Sequence, residues 1–373
     1  MRDLLPGRRF KVAAAVMMAA MGGGCMLLPA DSSDIGVAEA VSALTEPARE
    51  AEAPLVPIEY PAEVKALYVT ASMVRSGKMD DITALVKASS GEYAPNAIII
   101  DVQDGRGRTA IDDKLRAVVR RLRFLRILPI ARLVVFQNDS VAEDHPEWAV
   151  KKGDGSLWKD TGGRYWVDPA SEAARAHVAS VAEEAIAAGF GEINFDYFRF
   201  PSEGITSAVY PFWRENEGKT KRDVIADVAK FMKSELGGKY PDVRLTVDIF
   251  GYTFMRKADL GIGQSAPDLA GILDAVYPMI YPSHFDPGNF NFENPAAHPY
   301  EVMFLTLEKG KEIFAAEGKP FENIRPWLQD FNMGAEYTPE MVRAQAKAVR
   351  DAGLSAGWLI WNPSNRYREA IFR

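Results

Sequence analysis

Cysteine is all but missing from this chain. Cys25 is the single one among 373 residues, so no disulfide forms within it. Histidine is scarce as well: the four are His145, His177, His284 and His298, and no HxH or HExxH spacing joins them. That removes the usual zinc arrangements, and no metal site is expected. The chain lacks both a GxGxxG turn after an early strand and a GxxxxGK[S/T] phosphate cradle, so no nucleotide cofactor is called for. With no Gly-x-Ser-x-Gly elbow, serine-esterase chemistry has no support. Positive charge is in deficit too. The net charge is −7, and after the first dozen residues no block of Lys and Arg is interleaved with aromatics. A phosphate backbone finds no attraction in such a balance, so nucleic acid is excluded as a partner.

What is present begins with an export pattern. Arg2, Arg8, Arg9 and Lys11 precede the apolar run Val12 to Met21, and Gly22-Gly23-Gly24-Cys25 follows. A basic start, a short apolar stretch and small residues make a secretory signal, and the run is shorter than the ~20 residues of a spanning helix. Cys25, just after the small residues, resembles the acylated cysteine of a bacterial lipoprotein, which would attach the protein to a membrane. Gly22 departs from that pattern, where an aliphatic residue is usual, and ordinary cleavage nearer Ala30 is the alternative. The expected division is a signal over 1–30, a linker rich in Ala, Glu, Pro and Ser over 31–60, and a folded domain over 61–373. The expected location is the bacterial cell envelope, the periplasm or the outside.

From residue 61 onward, short β-rich apolar runs alternate with helical patterns, which predicts parallel βα units. Strands are expected over 65–70, 97–102, 128–135, 192–197, 244–249, 275–280, 324–329 and 356–361. Helices are expected around 81–88, 115–125, 171–188, 222–236, 300–316 and 339–352. Eight such units in about 300 residues are the repeat of a (β/α)₈ TIM barrel, an α/β fold. An open doubly wound sheet is the rival, and the missing glycine-rich turn counts against it.

In a barrel of this kind, chemistry sits where the strands end. Asp101 and Asp104, Asp196, Asp248 and Asp330 fall at or near such ends. Side chains alternate along a strand, so Asn194, Asp196 and Phe198 are expected on one face, and Thr246, Asp248 and Phe250 on another. If both faces point inward, Asp196 and Asp248 converge from neighbouring strands. A lone carboxylate is expensive to bury, so several at one rim are either paired with Arg or kept for work. Glycoside hydrolysis uses two of them, one to protonate the leaving oxygen and one to attack or to activate water. The bland alternative is helix capping or simple pairing: Asp104 looks cap-like, and Asp101 has Arg132 or Arg199 as possible partners. Arg199, three residues after Asp196, is expected to hold Asp196 ionised.

The run Phe195-Asp196-Tyr197-Phe198-Arg199-Phe200-Pro201 resembles the strand-four motif of a bacterial family of glycoside hydrolase domains, TIM-barrel glycosidases distantly similar to the alpha-amylase group. His145-Pro146-Glu147-Trp148, Trp166-Val167-Asp168-Pro169, Asp248-Ile249-Phe250-Gly251-Tyr252 and Tyr277-Pro278-Met279-Ile280-Tyr281-Pro282 match as well. The resemblance runs from about Lys65 to the end. It implies Asp196 as nucleophile, Asp248 as acid/base and Asp330 as a third, stabilising carboxylate. The amylase group carries Glu where this chain has Asp248, which shortens the reach of the acid/base by about one methylene.

Around these, Trp148, Trp158 and Trp166 lie on expected loops and offer rings for stacking on sugar, whereas Trp358 and Trp361 read as core. Arg199, Tyr252, Tyr281, His284 and Asn362 sit at or after strand ends and, with Asp101 and Trp166, are the expected substrate contacts. The expectation is an exported, monomeric glycoside hydrolase acting on a polysaccharide or oligosaccharide. Its rival is an envelope protein that binds carbohydrate on the same barrel without cleaving it.

Overall fold

A computed structural model describes residues 55–213 and 218–373. The expected export signal with Cys25, and most of the expected linker, lie outside the described residues. The rest closes into a barrel of eight parallel strands in sequential order: β1 (Val64–Val69), β2 (Ala97–Gln103), β3 (Leu128–Val134), β4 (Glu192–Asp196), β5 (Arg244–Phe250), β6 (Ala275–Met279), β7 (Trp327–Gln329) and β8 (Gly357–Trp361). The TIM barrel expected from the sequence is the observed fold. At the seam, Val64 lies opposite Gly357. Gly357 has φ 107°, and a Cβ there would collide with the Val64 carbonyl, so glycine alone lets β1 and β8 close.

Helices wrap the outside: α1 (Ala71–Arg75), α2 (Met79–Ala88), α3 (Asp113–Phe124), α4 (Asp139–Asp144), α5 (Glu172–Ala188), α6 (Lys221–Lys239), α7 (Ala266–Ala270), α8 (Pro299–Ala316) and α9 (Pro339–Asp351). Their starts follow from side chains that accept the first free N–H groups. Asp112 caps α3, Ser171 caps α5, and Thr220 with Asp223 forms a capping box on α6. The short α1, α4 and α7 were not expected; each is one turn or so behind a cap, at Thr70, Asn138 and Ser265. Such turns are too brief to show periodicity.

Among the strands that are shorter than expected, β7 and β4 are so for clear local reasons. β7 begins at Trp327, because Pro326 has no N–H to give the ladder; Ile324 makes only an isolated bridge to Val276. β4 stops at Asp196, because Tyr197 has φ 52° and leaves the extended region.

One apolar core fills the space between sheet and helices, and a second, narrower one fills the barrel with Ala66, Ile99, Ile130, Ala275 and Leu359. β4, with Arg132 on β3 and Thr246 and Asp248 on β5, breaks this apolar lining. Its buried Glu192, Asn194 and Asp196 place polar groups at floor, middle and mouth. At the floor, Glu192 accepts from Arg325 Nη1 at 3.1 Å and Thr246 Oγ1 at 3.0 Å, and from the hydroxyls of Tyr60 and Tyr277. Tyr60 shows that the expected linker boundary is too late. Residues 55–60 belong to the fold: Ile58 packs on Gly191 and Leu128, and Glu59 pairs with Arg126 at 2.7 Å.

Candidate active site

The carboxyl ends of β2, β3, β4 and β5 converge on one guanidinium. Arg132, inward on β3, donates Nη1 to Asp101 Oδ1 at 2.6 Å and Nη2 to Asp196 Oδ2, and its Nε lies 3.7 Å from Asp248 Oδ2. Three carboxyl groups on three strands thus surround one cation. Arg132 is 7%, Asp196 5% and Asp248 1% exposed, so water screens the cluster poorly. Burial works against the charge of Arg132, yet Asp196 and Asp101 hold its pKa raised. A register shift in β2 between Asp101 and Gln103 turns the end of that strand beside β3.

The two central carboxyl groups have different surroundings. Asp196 accepts from Arg132 and, at 2.6 Å, from the Tyr197 backbone N–H, so donors already point at both of its oxygens. Asp248 Oδ1 accepts from Trp327 Nε1 at 2.7 Å and Asn194 Nδ2 at 3.2 Å. Burial, then the neighbouring Asp196 charge, push the Asp248 carboxyl well above the usual range. Both effects favour the protonated form of Asp248, beside a carboxyl group that is bound by a guanidinium. Burial also raises Asp101, against the pull of Arg132 and of the Tyr68 hydroxyl that donates to it. Tyr68 stacks on Trp361 at 3.9 Å, and the guanidinium lies 5.2 Å from the Trp361 ring.

Arg199 does not reach Asp196. Its guanidinium sits among the rings of Phe250, Trp166 and Tyr197 at 4.6, 4.9 and 5.1 Å, and Nη1 donates to the Phe200 carbonyl at 3.0 Å. Tyr197 is the reason: its left-handed φ breaks the alternation after Asp196. Phe198 consequently leaves the face shared by Asn194 and Asp196 and packs in the outer core against Phe195 and Phe136. The ion pair expected between Asp196 and Arg199 is made by Arg132 instead.

Asp330 is not part of the cluster either. It follows Gln329 at the end of β7 and pairs with Arg368 Nη2 at 2.7 Å and Asn362 Nδ2 at 3.1 Å. Burial raises its pKa, against the pull of Asn362 and Arg368. Asn362 spends its other contacts on the turn after β8, accepting from Ser364 N and donating to the Arg366 carbonyl. The third carboxylate beside Asp196 and Asp248 is Asp101.

The remaining expected contacts are spread around the rim. Tyr281 is nearly buried in the inner core, where burial and then Asp248 raise its hydroxyl. His284 is tilted against Tyr281 and edge-on to Phe331, 3.2 Å from Ser283 Oγ, with its pKa lowered by burial. Tyr252 stacks on Phe285 and donates to Asp286 at 3.2 Å. Trp166 is 1% exposed and donates to Asp160 at 2.8 Å, and Trp158 is buried as well. Neither offers the free face expected of a loop platform. Trp361, expected in the core, instead faces the Arg132 cluster. Among the described residues, no group of His, Cys, Asp and Glu is arranged to hold a metal ion.

Sequence reasoning missed Arg132 as the hub; it placed Asn194 beside Asp196 and offered Trp327 as a ring for sugar, but missed both as donors to Asp248. The available signal was an arginine inside the apolar run Leu128–Val135, at the same parity as the inward Leu128 and Ile130.

A family model described as "Putative glycosyl hydrolase domain" matches residues 66–367. No functionally curated protein sequence matches the chain. Among solved structures, the α-galactosidase of Thermus thermophilus has 14% identity and a TM-score of 0.50 over 84% of this chain and 61% of that one. The galactosidase domain of an α-galactosidase–sucrose kinase has 10% identity and a TM-score of 0.52, over 84% of this chain and 39% of that one. The chain thus spans less than two thirds of either galactosidase, and at these identities the likeness is one of fold. A hypothetical protein from Ruminiclostridium thermocellum shares 26% identity over 49% of this chain and 96% of its own, with a TM-score of 0.42.

Proposed function

The chain belongs to this glycosyl hydrolase domain family, and on that premise we propose that it cleaves O-glycosidic bonds, with Asp248 as proton donor and Asp196 as nucleophile. The carrying observation is the contrast between these two residues on adjacent strands. Burial and the neighbouring Asp196 favour the protonated form of Asp248, whereas Asp196 is gripped by Arg132 and the Tyr197 backbone N–H. Paired carboxyl groups whose environments divide the acid role from the base role are what glycoside hydrolysis requires. Protonation of the leaving oxygen by Asp248 Oδ2 would let the C–O bond break as Asp196 meets the developing cation. Water, activated by the Asp248 carboxylate, would then release the sugar and restore the proton. Arg132 holds Asp196 and Asp101 in place through both steps. Export, expected from residues 1–30, is part of the proposal and would put the enzyme within reach of envelope or environmental glycans.

The test is a screen of the protein against a panel of oligosaccharides and polysaccharides, with Asp196→Asn and Asp248→Asn beside it. Turnover that falls at least ~10³-fold in both variants, with sugar binding kept, supports the assignment. The rival, a barrel that binds sugar without cleaving it, draws support from the depth of Asp248. Equal binding by all three proteins with no turnover in any of them would establish it.

A further inference from the structure

The most basic stretch of this acidic chain lies outside the site. Residues 112–126, spanning α3, hold six cations against two acids. Leu115, Val119 and Leu122 fix one face of α3 inward. The opposite ridge is Ala117, Arg120 and Phe124, all exposed, with Arg116 and Arg123 along one flank. Arg121 is matched by Asp80 and Arg126 by Glu59, but Arg116 and Arg120 face no acidic partner among the described residues. Phe124 is 75% exposed, more than any other large apolar side chain described. Beside it, Arg123 Nε donates to the Val56 carbonyl at 2.7 Å, and Val56 is itself exposed. This end of α3 leads into the start of β3, at the floor of the barrel. The described chain begins at the same floor with Leu55, which lies beside Gly189 at the C-terminal cap of α5.

We propose that the ridge of α3, with Phe124 and Val56 at its floor end, docks on an anionic phospholipid bilayer. Unmatched arginines answer the headgroup charge, and the two exposed apolar side chains enter the interface, while the apolar face of α3 stays in the protein core. An anionic polysaccharide would satisfy Arg116 and Arg120 but leave Phe124 and Val56 in water. Docking at the floor leaves the mouth, at the other end of the barrel, clear of the lipid.

The test measures co-sedimentation of the full chain with vesicles of phosphatidylcholine, alone or with about one third phosphatidylglycerol. Arg2, Arg8, Arg9 and Lys11 also attract anionic lipid, but they are the same in every variant, so differences between variants isolate α3. Each cation near such a surface changes partition about fivefold. Arg116→Glu with Arg120→Glu is expected to lower partition on the anionic vesicles at least tenfold while leaving the neutral ones unaffected. Phe124→Ser is expected to lower it severalfold, with the melting temperature unchanged. Arg116→Gln with Arg120→Gln serves if the reversal impairs folding. Equal partition of variants and parent on anionic vesicles overturns the proposal. So does charge-dependent retention on an anionic polysaccharide matrix with none on vesicles.

Discussion

Trp327 Nε1 donates to Asp248 Oδ1 at 2.7 Å, and Asn194 shares that oxygen, so the proton of the Asp248 carboxyl belongs on Oδ2. An indole on β7 thereby orients an acid on β5. Removing the donor in Trp327→Phe takes away a contact that favours the ionised form, so the Asp248 pKa climbs further. Activity that depends on protonated Asp248 falls as pH rises through that value. The alkaline limb of the pH–rate profile is expected to move to higher pH in the variant, with kcat reduced about 10²-fold. An unmoved limb would show that Trp327 only fills space.

Asp248 also links stability to pH. Its folded pKa is raised above the unfolded value of about 3.9, so folding favours the protonated form. That contribution is full below the unfolded value and is lost as pH rises through the folded one. Urea unfolding across the pH range is expected to show the parent losing stability toward alkaline pH more steeply than Asp248→Asn, which has no proton to lose.

Arg132 is the cation that Asp101, Asp196 and Asp248 surround. Replacing it by Met leaves Asp101 and Asp196 without their partner and is expected to cost about 3–5 kcal/mol, read from denaturant midpoints. Arg132→Lys keeps the charge but not the fork that spans two carboxylates. Its activity is expected to suffer far more than its stability.

Much of this was legible in the sequence. The strands show as apolar runs, and Asp196 and Asp248 share the inward parity that the alternation predicts. The contacts that organise the site were not, because they cross between strands distant in the chain. The pairing of Arg132 with Asp101 was one of the expected alternatives and is observed, but nothing local to Leu128–Val135 says that Arg132 also meets the carboxyl groups of β4 and β5. The left-handed backbone at Tyr197, which sends Phe198 outward and keeps Arg199 from Asp196, has no glycine or asparagine to mark it. Asp330 shows the converse: a strand-end carboxylate of the right type whose partners, Asn362 and Arg368, lie in the final segment.

Asp330→Asn accordingly is expected to change turnover less than about tenfold while weakening the fold by about 1–3 kcal/mol, the cost of a buried acceptor lost to Arg368. A loss of turnover as large as that of Asp196→Asn would restore Asp330 to the catalytic set.

The Glu192, Arg325 and Tyr60 network closes the floor of a barrel whose middle is already filled by side chains. Whatever enters at the rim has to leave by the same rim, so a long glycan cannot be threaded through and must be worked on from the side or end that dips in.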